Sequence, residues 1–207
     1  MIRSLVVFCA ALAVSSMAVF AVPPAADPEG FDEALAAFDS GDYSTARETF
    51  RRLADQGHVK SQYNLGLLYF RGLGVPSNLS IARTWALKAA NKGYAPAEYT
   101  IGAMYSSGQG FDEDLAEAAK WFRRAAEQGH GAAQHDLASL YGEGRGLPRD
   151  SVLAYYWYSM AIQNLPAKQK KLARQKRTLI ETRMGSEALT AARKMVANKQ
   201  KQSPARK

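Results

Sequence analysis

Cysteine is almost missing from this 207-residue chain. The only one, Cys9, lies in the N-terminal apolar run, and nothing after it can form a disulfide, a thiolate metal site or a cysteine nucleophile. Stability has to come from packing. There are three histidines, His58, His130 and His135. None has a partner at a metal-ligand spacing, and Asp136, next to His135, is expected to point away from it on a helix. The Gly-x-Ser-x-Gly, Ser-x-x-Lys, Lys-Thr-Gly, His-Glu-x-x-His and phosphate-loop patterns are all absent. No cofactor is expected, and the carboxylates fall at loop and cap positions rather than as a pair. Runs of β-branched residues are scarce and alanine is abundant, so the expected class is all-α. About half of the residues are apolar, which is enough for a packed core.

The N-terminus has a composition of its own. Arg3 precedes an uncharged apolar run from Leu5 to Phe20, with small residues at Val19 and Ala21. This predicts a signal peptide over residues 1–21 cleaved after Ala21, with Ala18 as the second choice, and hence a periplasmic or secreted protein. An uncleaved membrane anchor is the alternative.

The rest of the chain is dominated by one period. Trp85, Trp121 and Trp157 are 36 residues apart, and so are Tyr69, Tyr105 and Tyr141. Gly57, Gly93 and Gly129 keep the step, as do the pairs Gly72/Gly74, Gly108/Gly110 and Gly144/Gly146. Leu65, Ile101 and Leu137 agree, and so do Ala82, Ala118 and Ala154. Each unit reads as helix, glycine loop, helix. Leu65, Leu68 and Tyr69 form one apolar stripe, and Gly66, Gly102 and Ala138 beside it let helices approach closely. Gly72 and its equivalents stop the first helix in the left-handed conformation. Asn78, Asp114 and Asp150 cap the second, and Glu117 is placed to complete a capping box with Asp114. The tryptophans are expected in the core, with Trp121 buried between the second and third units. His58 and His130 fall where first helices start. A shorter pair precedes the array: Phe31, Leu35 and Phe38, a turn at Ser40-Gly41-Asp42, then Tyr43, Ala46, Phe50 and Leu53.

These residues resemble the Sel-1-like repeat family, a relative of the tetratricopeptide repeat. The resemblance rests on Tyr63-Asn64-Leu65-Gly66-Leu67-Leu68-Tyr69, Gly72-Leu73-Gly74-Val75, Ala82 and Trp85, with their two echoes. It implies an αα-solenoid with a right-handed superhelix. Its parts are a tetratricopeptide-like pair over 27–56, units over 57–92, 93–128 and 129–164, capping helices over 165–198 and a basic tail over 199–207. It also implies a non-enzymatic scaffold binding a protein or peptide partner in the cell envelope. The alternative is an envelope enzyme or ligand-binding protein acting on peptidoglycan or a β-lactam-like ligand. Cysteine-rich relatives are linked to β-lactams, but their cysteines are missing here. In the related geometry first helices line the concave side. That face then carries Tyr63, Leu67 and Phe70, next Tyr99, Ala103 and Ser106, and last His135, Ser139 and Gly142, with Tyr63, Tyr99 and His135 as a column.

The formal charge of +8 is concentrated at one end. From Lys168 to Lys207 there are 13 Lys/Arg and two Asp/Glu, whereas residues 22–167 hold 13 and 17. Lys168, Lys170, Lys171, Arg174, Lys176 and Arg177 form a candidate basic surface for lipid head groups, an anionic envelope polymer or an acidic protein. Nucleic acid is not expected, because no recognition motif is present. Leu165, Leu172, Leu179 and Ile180 predict one long amphipathic helix. Ser186 is expected to cap a last helix carrying Leu189, Ala192 and Val196.

Overall fold

The computed structural model describes residues 27–202, so the expected signal peptide and the final five residues lie outside it. The described residues form ten helices and no strand: α1 (Phe31–Ser40), α2 (Tyr43–Asp55), α3 (Val59–Arg71), α4 (Leu79–Asn91), α5 (Ala95–Ser107), α6 (Leu115–Glu127), α7 (Gly131–Glu143), α8 (Ser151–Asn164), α9 (Ala167–Glu181) and α10 (Ser186–Gln202). They stack as an αα-solenoid. Each first helix packs most extensively on the second helix of its own pair, then on the second helix before it. No described helix is long and apolar enough to cross a membrane.

The period acts as the spacing predicts. Leu65, Ile101 and Leu137 are fully buried, each removing a side chain worth about 2–3 kcal/mol from water. Gly72, Gly108 and Gly144 end their helices at φ near +70°, with the amide donating back into the last turn. Asn78, Asp114 and Asp150 accept backbone N–H bonds through their side chains. Their own N–H groups donate to the carbonyls of Tyr69, Tyr105 and Tyr141, which ties each second helix to the end of the first. This corrects the expected capping box: Asp114 N–H is already used, and Glu117 pairs with Lys120 at 2.5 Å instead of reaching back.

The second glycine of each pair has a different task. Gly74, Gly110 and Gly146 seat the loop on the first residue of the preceding second helix, Tyr43, Leu79 and Leu115 respectively. These contacts fasten unit to unit. A second fastening uses the last carbonyls of the second helices, which have no partner within the helix. Gln62 donates to the Ala54 carbonyl at 3.1 Å, and Gln134 to that of Ala126 at 2.9 Å. The equivalent residue in the middle unit is Glu98, which has no proton to donate. Arg124 takes over, donating to the Ala90 carbonyl at 2.9 Å and pairing with the buried Glu98 carboxylate at 2.8 Å. Gln128 satisfies the other Glu98 oxygen at 2.7 Å.

Two further expectations are overturned. Trp85 and Trp157 are buried, at 6% and 7% exposure, but Trp121 is only half-buried. It lies against the cluster of Ala86, Ala89, Ala90, Ala97, Ile101 and Met104, between units one and two rather than two and three, with Arg124 over its ring at 4.4 Å. Arg124, bound to Glu98 and Ala90, lies over the ring, as Lys88 lies over the ring of Trp85. The second concerns the C-terminal end. α8 stops at Asn164 and Pro166 starts α9, whose buried face is Ala173 and Ile180. Leu165 is buried as the C-cap residue of α8, whereas Leu172 and Leu179 point outward, so the four do not share one helix or one face. α10 carries Leu189, Ala192 and Val196 as expected but starts at Ser186 itself; these residues join the core cluster that includes α8, and the helix runs through Gln202 into the segment read as a tail.

Candidate functional site

First helices α3, α5 and α7 present the column Tyr63, Tyr99 and His135, all half-buried. Each ring is held by its surroundings. Tyr63 meets Tyr94, the N-cap of α5, edge-on at 5.4 Å. Tyr99 stacks on His130, the N-cap of α7, at 4.7 Å, and tilts against Phe122 at 5.6 Å. His135 sets its edge on Tyr158 at 5.4 Å. Tyr63 and Tyr99 therefore pack across seams between units, and all three side chains of the column keep partial exposure.

Asp136 joins two of these residues. Tyr99 Oη donates to its Oδ2 at 3.2 Å, and His135 Nδ1 lies 2.9 Å from its Oδ1. Adjacency on the helix had predicted that His135 and Asp136 point apart; the carboxylate instead turns back along the groove between the tyrosine and the imidazole. Burial, then the Asp136 carboxylate, push the Tyr99 hydroxyl well above its ordinary pKa, so it stays a donor. The arrangement resembles a hydrogen-bonded acid–base pair but does not open to a substrate. His135 Nε2 is buried without a hydrogen-bond partner among the described residues, which closes the nitrogen a general base would offer. Among the described residues no three His, Cys, Asp or Glu side chains are grouped to hold a metal ion.

The neighbouring positions complete the surface. Leu67 and Phe70 are half-buried and, with Tyr63 and Met104, line an apolar cleft among α3, α4 and α5 that is too narrow to admit water. Ser139 donates to Glu143 at 2.9 Å. A second cleft lies elsewhere, about 300 Å³ between α2 and α3, bordered by Arg47, Arg51, Arg52, Asp55 and Tyr69. The repeat pattern carries no sign of it, because α2 belongs to the shorter opening pair.

The six cations proposed as one basic surface divide into two sets. Lys168, Lys171 and Arg174 are exposed. Lys170 donates to the Gln163 carbonyl at 3.4 Å, Lys176 lies 3.9 Å from Glu143, and Arg177 spreads over the Tyr155 ring at 5.5 Å. α9 packs against α8 and α7 along that side, so those three side chains lean on the fold.

His130 makes the seam pH-sensitive. Its Nδ1 accepts from the Ala133 N–H at 3.3 Å, which requires an unprotonated nitrogen. Burial lowers its pKa, only partly opposed by Asp136. A depressed pKa means that the unfolded chain takes up the proton first, so stability is complete above the ordinary value of about 6.5 and is lost as pH falls through the folded value. The melting temperature is expected to drop between about pH 7 and pH 5, and His130→Asn, which keeps a cap acceptor that does not titrate, to flatten that slope. Identical slopes for the two proteins would show that His130 is not responsible.

Comparison with known proteins follows the same geometry. A curated protein of rat and mouse, DAP3-binding cell death enhancer 1, is 46% identical over 43 residues, 21% of this chain and 8% of its own length. The chain thus spans a small fraction of those relatives. Among solved structures, a protective antigen of uropathogenic Escherichia coli with an SLR fold superposes with a TM-score of 0.66 at 32% identity, covering 74% of this chain and 32% of that one. A Sel1 repeat protein from Oxalobacter formigenes gives 0.65 at 28% identity, covering 76% and 72%. Sel1 repeat proteins typically mediate protein–protein interaction and are generally non-enzymatic scaffolds. The Sel1 repeat model matches residues 59–94, 95–130 and 131–164, just over half of the sequence, each match spanning one first helix and the second helix that follows it; the chain belongs to the Sel1 repeat family.

Proposed function

We propose that this protein is an adaptor of the bacterial cell envelope whose first-helix face binds an extended peptide or a helix of a protein partner. The observation that carries this reading is the half-buried column Tyr63, Tyr99 and His135, which crosses three consecutive units beside the apolar cleft at Leu67 and Phe70. Rings already held by Tyr94, His130 and Tyr158 lose little freedom on binding, so their accessible sides offer contact area at low entropic cost. Ser139 and the Tyr99–Asp136 pair add polar groups that orient a backbone. The envelope location is supported by Arg3 and the apolar run Leu5–Phe20, and by the bacterial origin of the two solved relatives, one of them a protective antigen.

Affinity capture from an envelope extract tests this with the Tyr63→Ala/Tyr99→Ala variant. The expected result is loss of a discrete protein partner. Because half of each ring is buried, about 1–3 kcal/mol of stability also goes, and Tyr99→Phe, which keeps the stack and loses only the hydroxyl, should cost about 1 kcal/mol or less. A folded double variant that still captures the partner excludes this face. Turnover of cell-wall fragments by the purified protein would favour the enzymatic alternative.

A further inference from the structure

α9 keeps the period after the glycine loops have ended. α3, α5, α7 and α9 begin at residues 59, 95, 131 and 167, a constant step of 36. Ala173 is fully buried in register with Leu65, Ile101 and Leu137. α9 also lies beside α7: Ile180 is the side chain a Cβ on Gly142 would meet, and Lys176 approaches Glu143. It is a fourth first helix, while α10 has left the pairing to cover α8.

In register with Asn64, Leu67 and Arg71 of α3, and with Asp136, Ser139 and Glu143 of α7, α9 carries Leu172, Gln175 and Leu179. The two leucines are 51% and 45% exposed. Seven residues apart, they share one helical face about 10 Å apart along the axis. Lys168 is on that face and Lys171 flanks it. Neither forms an ion pair among the described residues. A helix serving only to close an array would be polar here.

We propose that α9 is the fourth row of the binding face and that Leu172, Leu179, Lys168 and Lys171 dock an acidic segment of a protein partner through its apolar side chains. This rests on the reading of the first-helix face as the binding surface. The partner is acidic because the neighbouring carboxylates do not neutralise these lysines: Asp136 is held by Tyr99 and His135, and Glu143 by Ser139 and Lys176. It is a peptide rather than a bilayer because the leucines flank Lys171 and Gln175, which continue the rows of Tyr63 and Leu67 across α5 and α7, a path that a chain follows and a flat membrane does not.

The probe is a fluorescent peptide with leucines seven residues apart on a glutamate background, titrated into the full chain and followed by anisotropy. Binding is expected to weaken as salt rises, since exposed charges are screened over about 8 Å at physiological ionic strength. Leu172→Ser/Leu179→Ser should raise the Kd roughly tenfold or more. Lys168→Glu/Lys171→Glu should weaken binding similarly, and neither variant should change the melting temperature, because all four side chains are exposed. Absence of binding, equal binding by these variants, or adsorption to vesicles of equal parts phosphatidylcholine and phosphatidylglycerol in place of the peptide would overturn the proposal. The Tyr63→Ala/Tyr99→Ala variant separates the two readings. If it alone loses the peptide, the column stands and the α9 row falls; if only the α9 variants lose it, the reverse holds.

Discussion

Trp157→Ala is expected to lower the free energy of unfolding by about 3–5 kcal/mol, and Trp121→Ala by only about 1–2 kcal/mol, although the two residues occupy the same repeat position. Trp157 is 7% exposed and packs in the cluster of Ala154, Leu140, Tyr158 and Ala173, with Tyr156 edge-on at 4.9 Å. Its removal leaves a cavity that the surrounding cluster encloses and cannot fill. Its indole Nε1 is buried with no hydrogen-bond partner among the described residues, which places the loss toward the lower end of that range. Trp121 is half-buried beneath Arg124, so its deletion opens a groove to water rather than a void. Urea titrations of both variants decide the matter: equal shifts in the midpoint at constant m would contradict the packing difference.

The other large effect is Gly146→Ala, expected to cost about 3 kcal/mol. Two terms add. Gly146 has φ +68°, where an L side chain costs about 1–2 kcal/mol. A Cβ there would also lie 2.5 Å from the Leu115 carbonyl carbon and 2.5 Å from its Cβ, so the loop of unit three must lift from α6. Gly129→Ala isolates the first term, since Gly129 has φ +89° and nothing within 4 Å of the added atom; its cost should be about 1 kcal/mol. If both substitutions cost the same, the glycine loop is not a fastening between units.

The period was legible because the fold needs particular residues at particular places. Only glycine fits the left-handed turns at Gly72, Gly108 and Gly144. Glycine or alanine fits beside Ala82, Ala118 and Ala154, where helix axes cross closely. Asp or Asn caps the second helices through its own side chain, a local property. The column Tyr63, Tyr99 and His135 was readable for the same reason, as a fixed offset from the buried stripe. What stands on those residues was not readable. The Tyr99–Asp136–His135 link joins side chains from two units through one carboxylate rotamer, and neither period nor spacing reports a rotamer. The place of Arg124 could not be inferred from Gln62–Glu98–Gln134, since the need for a donor becomes apparent only when the Ala90 carbonyl is seen to abut the next helix.

The sequence by itself determined the helix pairs, their caps and turns, and the identity of the repeated core, because these depend on backbone conformation and on contacts that recur every 36 residues. Tertiary structure decided the departures from that recurrence. Trp121 is half-buried beneath Arg124 of its own helix, which reaches across to the Ala90 carbonyl of the preceding unit. Three of the six C-terminal cations contact α8 or α7, and the other three form no ion pair among the described residues. α9 continues the row of first helices although it has neither the glycines nor the tryptophan of a repeat, because Ala173 and Ile180 suffice to dock it in register. Each departure is a contact between units whose sequences differ, and only the packed array brings such residues together.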